Sequence, residues 1–220
     1  MGIWEQLKDL IVASLQFFYG WTHDYGFAII LLTVAMRLVL VPLTVKQTHS
    51  MYEMQRVQPK LKELQAKYKN NKEKQQEEML KFYQENKVNP FGGCLPLLLQ
   101  MPIFIALFQV LRTMKELGRF WIILPDLNQT PQAVFQSQGL VHAIPYLLFV
   151  VLFGLSTWLP QQMMPGDKQQ KQMGLYMSAV MLWFGWISPA GVLVYWVTSS
   201  TWQIGQQMLT LRLYAKREGA

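Results

Sequence analysis

One arginine inside an otherwise apolar run constrains this chain more than any other feature. From Gly26 to Val45 the sequence reads GFAIILLTVAMRLVLVPLTV, with Arg37 its only charge. A run of about 20 such residues matches a bilayer core of roughly 30 Å at about 1.5 Å per helical residue. An arginine near the middle of that helix costs about 2.5–3.5 kcal/mol on insertion scales. It lies too deep to snorkel easily, so it is expected to face protein or water rather than lipid. A structural ion pair is the ordinary explanation, yet no apolar run of this chain contains an acidic residue.

Four further apolar runs follow, at about residues 94–111, 140–159, 173–187 and 191–211. Charged residues make up 15% of the chain, against about 25% in soluble domains. The expected fold class is therefore an all-α polytopic membrane protein with five transmembrane helices. The fourth run is the shortest, and its length of roughly 22 Å suggests local thinning of the bilayer beside it. Fifteen of the twenty Lys and Arg fall on one side of these spans and four on the other. The positive-inside rule then places the N-terminus outside and the C-terminus in the cytoplasm. Trp21, Tyr25, Trp121 and Trp186 fall near the expected outer surface, as an aromatic belt does.

Residues 1–20 form a separate element. Ile3, Leu7, Leu10, Ile11, Leu15 and Phe18 recur at helical spacing, with Glu5, Lys8 and Asp9 off that stripe. This pattern predicts an amphipathic helix on the outer interface rather than a cleaved signal peptide. The basic stretch at about 48–89 has apolar residues three or four apart and an Asn70-Asn71 turn signal, which predicts a cytoplasmic helical hairpin. Glu63–Lys67 and Glu77–Lys81 are helix-supporting pairs within it. A solvated charged connector is the plainer alternative. A membrane core is expected over 21–212, with a short basic cytoplasmic tail at 213–220.

Thr33, Arg37 and Thr44 share one face of the first span, by their separations of four and seven. Trp196, Ser200, Gln203 and Gln207 follow similar spacing in the last span, with Ser199 and Gln206 alongside. Gln100 lies in the second span and Gln161 near the inner end of the third. Each amide or hydroxyl alone is ordinary interhelical glue. Together with a buried cation they predict a hydrophilic cavity within the bilayer. The sequence has no GxxxxGK[ST] phosphate loop and no HExxH zinc motif. Cys94 is the sole cysteine, which excludes a disulfide framework and a Cys-rich zinc site. Ser156 and His142 are about 21 Å apart on one helix, too far for a nucleophile–base couple. No enzyme activity, cofactor, metal site or nucleic-acid motif is expected.

Two stretches, MRLVLVPLTVKQTHSMYEMQRVQPKLKELQ and NPFGGCLPLLLQMPIFIALFQVL, resemble the YidC/Oxa1/Alb3 membrane protein insertases. The segment SPAGVLVYWVTSSTWQIGQQ is similar to the last span of that family. The resemblance covers about residues 20–212 and implies a five-helix core with a groove open to cytoplasm and lipid. It implies Arg37 as the groove arginine, Gln161 as a groove glutamine and Trp196 as the groove aromatic. It implies newly made membrane proteins and the lipid bilayer as partners. The Sec translocon, the signal recognition particle pathway and the ribosome are candidate partners. The expected form is the short one, without the large periplasmic domain of Gram-negative members. The short tail after Leu211 contrasts with the long basic tail that some relatives use to hold ribosomes. A small channel or carrier would also use an intramembrane arginine. A membrane scaffold would use the basic hairpin alone. Composition ranks these readings with the insertase; the resemblance puts the insertase first.

Overall fold

The computed structural model describes residues 2–86, 88, 95–114, 117–163 and 168–218. Side chains are described there except at 51, 55, 95–99, 161, 163, 168–171 and 215–218. Eight helices follow in order: α1 Ile3–Thr22, α2 Tyr25–Lys67, α3 Lys72–Glu85, α4 Leu95–Thr113, α5 Pro131–Gln138, α6 Leu140–Met163, α7 Lys168–Ile187 and α8 Ala190–Glu218. Among the described residues there is no strand beyond one isolated bridge, Phe120 with Leu124. The chain divides into two compact units, Met1–Val39 with Met101–Gly205, and Leu40–Gln100 with Gln206–Ala220.

The first unit is built around a core of Leu15, Ile29, Leu107, Leu111, Phe153 and Leu193, all fully buried. Among the described residues, two stretches are long and apolar enough to cross a membrane, Tyr25–Met54 and Leu140–Pro160. On α6, Val141, Ile144, Leu148, Val151 and Leu155 are exposed at helical spacing, and on α7 so are Met173, Tyr176, Val180 and Trp183. Water would penalise such continuous apolar faces, whereas lipid solvates them.

α1 packs inward through Leu7, Ile11, Leu15 and Phe18. Two members of the expected stripe fall off it: Ile3 is 87% and Leu10 63% exposed. Trp4 takes a place on the inner face, and its indole N–H donates to Gln109 Oε1 at 3.2 Å. The helix is thus rotated from the sequence expectation by the pull of one large aromatic.

The segment 117–130 is a packed plate rather than a free loop. Leu117, Phe120, Leu124 and Leu127 are buried in the core. Asn128 accepts from Leu117 N at 2.9 Å and donates to Met114 O at 2.5 Å. Ala190 N donates to Gln129 O and Gly191 N to Leu127 O, both at 3.0 Å, so the plate satisfies the first amides of α8. Asp24 does the same for α2, accepting from Gly26 N at 2.7 Å and Phe27 N at 3.1 Å. Its second oxygen accepts from Trp121 N at 2.5 Å, which holds Trp121 at the left-handed φ of 46°. A Cβ on Gly26 would overlap the Phe120 ring, so only glycine lets the plate close on α2. The sequence reading missed α5, although Thr130 caps it by accepting from Ala133 N at 3.1 Å and Pro131 begins it.

In the second unit the expected hairpin is present as the latter part of α2 and α3. Asn71 caps α3 by accepting from Lys74 N at 3.1 Å. Gln75 Nε2 donates to Gln65 O at 2.8 Å across the hairpin. Lys67 lies over the Tyr68 ring, 5.5 Å from its centroid, rather than pairing with Glu63. Burial pushes the Tyr83 phenol above its usual pKa. The hairpin's expected end at Asn89, the Asn89–Cys94 motif and the side chains of the basic tail from 215 lie outside the described residues.

Two boundaries differ from the sequence reading. No break separates the first apolar run from the hairpin's first arm: α2 is one helix of 43 residues. Thr48, expected at the start of a soluble element, is buried at 8% exposure, and Gln47 before it at 3%. The fourth apolar run belongs to a helix of 20 residues, because the polar Gln and Lys residues from Lys168 continue it. At about 1.5 Å per residue the helix reaches roughly 30 Å, while its apolar part, on which the thinning expectation rests, remains about 15 residues long.

Asp24→Ala is expected to lower stability by about 1–2 kcal/mol, since it removes a helix cap and the Trp121 tether together. Thermal unfolding in detergent reads this as a lower midpoint; an unchanged midpoint would show that the plate holds without Asp24.

Candidate functional site

The site grows from two helices of the first unit. α2 carries Arg37 about 18 Å from its first residue, and α8 carries Ser199 about 14 Å from its own. Both starts are fixed by the plate at 117–130, so both side chains lie well inside the unit. Arg37 is buried at 8% exposure and Ser199 at 2%. Arg37 Nε donates to Ser199 Oγ at 3.1 Å and Nη2 donates to the same oxygen at 2.5 Å. Nη2 also reaches Gln203 Oε1 at 3.4 Å. Ser199 and Gln203 are one helical turn apart, which puts them on one face of α8.

These partners are neutral. They satisfy donors of the guanidinium but leave its charge whole, and among the described residues Arg37 forms no ion pair. Its Nη1 makes no hydrogen bond among those residues either. Burying a charge without a counter-charge costs several kcal/mol, and hydrogen bonds to a charged donor return about 1.5–3 kcal/mol each. The result is a positive charge held in place and short of an anion.

Trp196 lies beside this group. Its ring contacts Phe104 edge-on at 5.1 Å and Phe153 at 5.2 Å, and its buried Nε1 has no partner. Thr33 is buried, but its hydroxyl donates to Ile29 O of its own helix at 2.6 Å. Ser200 is half-buried and makes no contact with Arg37. Of the two serines named from the sequence, Ser199 receives the arginine, and Gln203 of the expected face joins it.

Gln100 belongs to the second unit. Gln161 lies on α6, and its side chain is outside the described residues. The second unit has a polar seam of its own. Gln206 Nε2 donates to Thr44 Oγ1 at 2.5 Å, and Thr44 donates to Leu40 O at 3.0 Å. Gln47 sits there with neither amide atom bonded. Gln47 falls between the apolar run that ends at Val45 and the basic stretch from about 48, so the sequence reading assigned it to neither. Helical spacing from Thr44 could have found it.

The profile of a family described as 60Kd inner membrane protein matches residues 17–217. The chain is similar to a membrane protein insertase YidC of Endomicrobium trichonymphae, 36% identical over 215 residues, which are 96% of this chain and 40% of that one. It is similar to a membrane protein insertase YidC of Caldanaerobacter subterraneus, 36% identical over 198 residues, 90% of each chain. It also matches the crystal structure of an active YidC insertase with its first transmembrane domain resolved. There the TM-score is 0.69 and the identity 30%, over 90% of this chain and 45% of that chain. The chain thus spans about two fifths of the length of the longer relatives and nearly all of the shorter one.

Ser199→Ala removes two of the three bonds to Arg37 and is expected to cost about 1–3 kcal/mol, because a buried charged donor loses its acceptor. A double-mutant cycle with Arg37→Ala is expected to show coupling above about 0.5 kcal/mol by thermal unfolding. Additive effects would mean that the two side chains do not share their energy.

Proposed function

The chain belongs to the 60Kd inner membrane protein family, and on that premise we propose that it is a membrane protein insertase working without nucleotide hydrolysis. The observation that carries this reading is the buried Arg37, held by the neutral Ser199 and Gln203 and lacking an anion. α2 and α6 cross the bilayer, and α4, α7 and α8 are taken as the other spans, with the N-terminus outside.

A short membrane protein presents a polar tail and an apolar segment. The tail is the costly part to move, and an acidic tail supplies the charge that Arg37 lacks. Ser199 and Gln203 keep the guanidinium pointed and leave Nη1 available to a carboxylate. Trp196 with Phe104 and Phe153 provides an apolar wall beside the charge. Gln161 and Gln100 are proposed to contact the same substrates, and Ser200 and Thr33 to shape the polar face. The hairpin receives the incoming segment. Transfer of that segment into lipid releases about 0.8 kcal/mol per buried CH₂, which drives insertion. A channel would need an open path past the plate, where Leu117, Leu124 and Leu127 are closed to water.

Reconstituted proteoliposomes test this with a single-span substrate bearing an acidic tail, scored by protease protection of the tail. Wild type is expected to protect it, and Arg37→Ala to lose at least about tenfold in rate, the equivalent of one charge-assisted bond. A neutral tail should insert more slowly and depend less on Arg37. Equal insertion of acidic, neutral and basic tails would remove the arginine from the mechanism; no protection above empty liposomes would remove insertion itself.

A further inference from the structure

A second group of cations lies in the first unit, away from Arg37. A cavity of about 600 Å³ opens between α1, α4 and α7. Its polar rim has Lys8 from α1 with Arg112 and Thr113 from the last turn of α4. Its wall is aromatic. The Phe104, Phe108 and Phe184 rings stand 6.0 to 6.2 Å apart in every pairing. Arg112 and Phe104 are two helical turns apart, so the wall extends about 12 Å from the rim.

Charge at the rim is incompletely balanced. Lys8 Nζ is 2.8 Å from Glu5 Oε2, whereas Arg112 forms no ion pair or hydrogen bond among the described residues. Both cations lie on the side that the positive-inside rule leaves poor in Lys and Arg, where each needs a reason of its own. A positive rim above a deep apolar wall is complementary to one kind of ligand, an amphiphile with an anionic head. A soluble anion would leave the wall empty, and a neutral lipid would leave Arg112 unanswered.

We propose that this cavity holds one anionic phospholipid, its phosphate between Lys8 and Arg112 and one acyl chain against Phe104, Phe108 and Phe184. The proposal rests on the membrane reading of the chain but not on insertion activity. The lipid bridges α1 to α4 beside the Trp4–Gln109 bond, which is exposed. It therefore fastens the N-terminal helix to the bundle.

Lipid retention on the full-length protein in detergent tests this, with phosphatidylglycerol and phosphatidylcholine of identical chains titrated and bound lipid counted by native mass spectrometry. Three proteins are compared: wild type, Lys8→Gln/Arg112→Gln, and Lys60→Gln/Lys69→Gln, which removes equal charge from the hairpin. All substituted side chains are at the surface or cavity rim, and equal melting midpoints show that folding is preserved. Wild type and the hairpin variant are expected to keep one tightly held phosphatidylglycerol, while the rim variant loses about tenfold in affinity for it. Glycerol 3-phosphate should not compete, because it lacks the chain. Equal loss in both variants would show generic charge attraction. Retention by the rim variant, or competition by glycerol 3-phosphate, would also overturn the site.

Discussion

The bond between Arg37 and Ser199 joins the two helices on which the site depends, and it works only because both are set in register at their beginnings. Asp24 and the plate amides fix α2; Gln129 O and Leu127 O fix α8. A shift of either helix by one residue would rotate its side chain by about 100° and take the serine out of reach. The charge is thus positioned from a distance of about three helical turns. The packing beneath it serves the same end, since Ile29, Leu107, Leu111 and Leu193 fill the space between plate and arginine. A guanidinium could not be held by neutral groups in a loose core, where it would move towards water and leave its partners.

The helical class, the membrane-like apolar runs and the burial of Arg37 were legible because each follows from composition along a line. A long apolar run has few solvents that suit it, and a charge within one stands out. The hairpin turn was legible from Asn70-Asn71 for a local reason, the cap that Asn71 makes. What failed was information carried by tertiary contact. The plate at 117–130 reads as an ordinary connector until Asn128, Asp24 and the α8 amides are seen to meet. Trp4 turned α1 away from the stripe that counting predicted, because one indole outweighs Ile3 and Leu10 in packing and carries a polar tip that needs a partner. The choice of Ser199 over Ser200 rests on a single residue of rotation, which spacing cannot resolve when both neighbours are serine.

The helix boundaries show a similar division. Apolar runs mark what lipid can solvate, not where hydrogen bonding stops. α2 continues through Lys46 into the hairpin and α7 begins among glutamines and lysines, because Gln and Lys are good helix formers whatever surrounds them. Membrane thickness and helix length are separate quantities here, and only the first was visible in hydropathy.

The plate also decides what the surrounding membrane must tolerate. Any polar interior in a bilayer is a hazard to the ion gradients stored across it, since a thread of water conducts protons. Here Leu117 N and Trp121 N of the plate are bonded to Asn128 and Asp24, and Leu117, Leu124 and Leu127 are buried. Under the proposed span assignment, a charge would be presented within the membrane beside a packed, apolar segment that keeps the insulation.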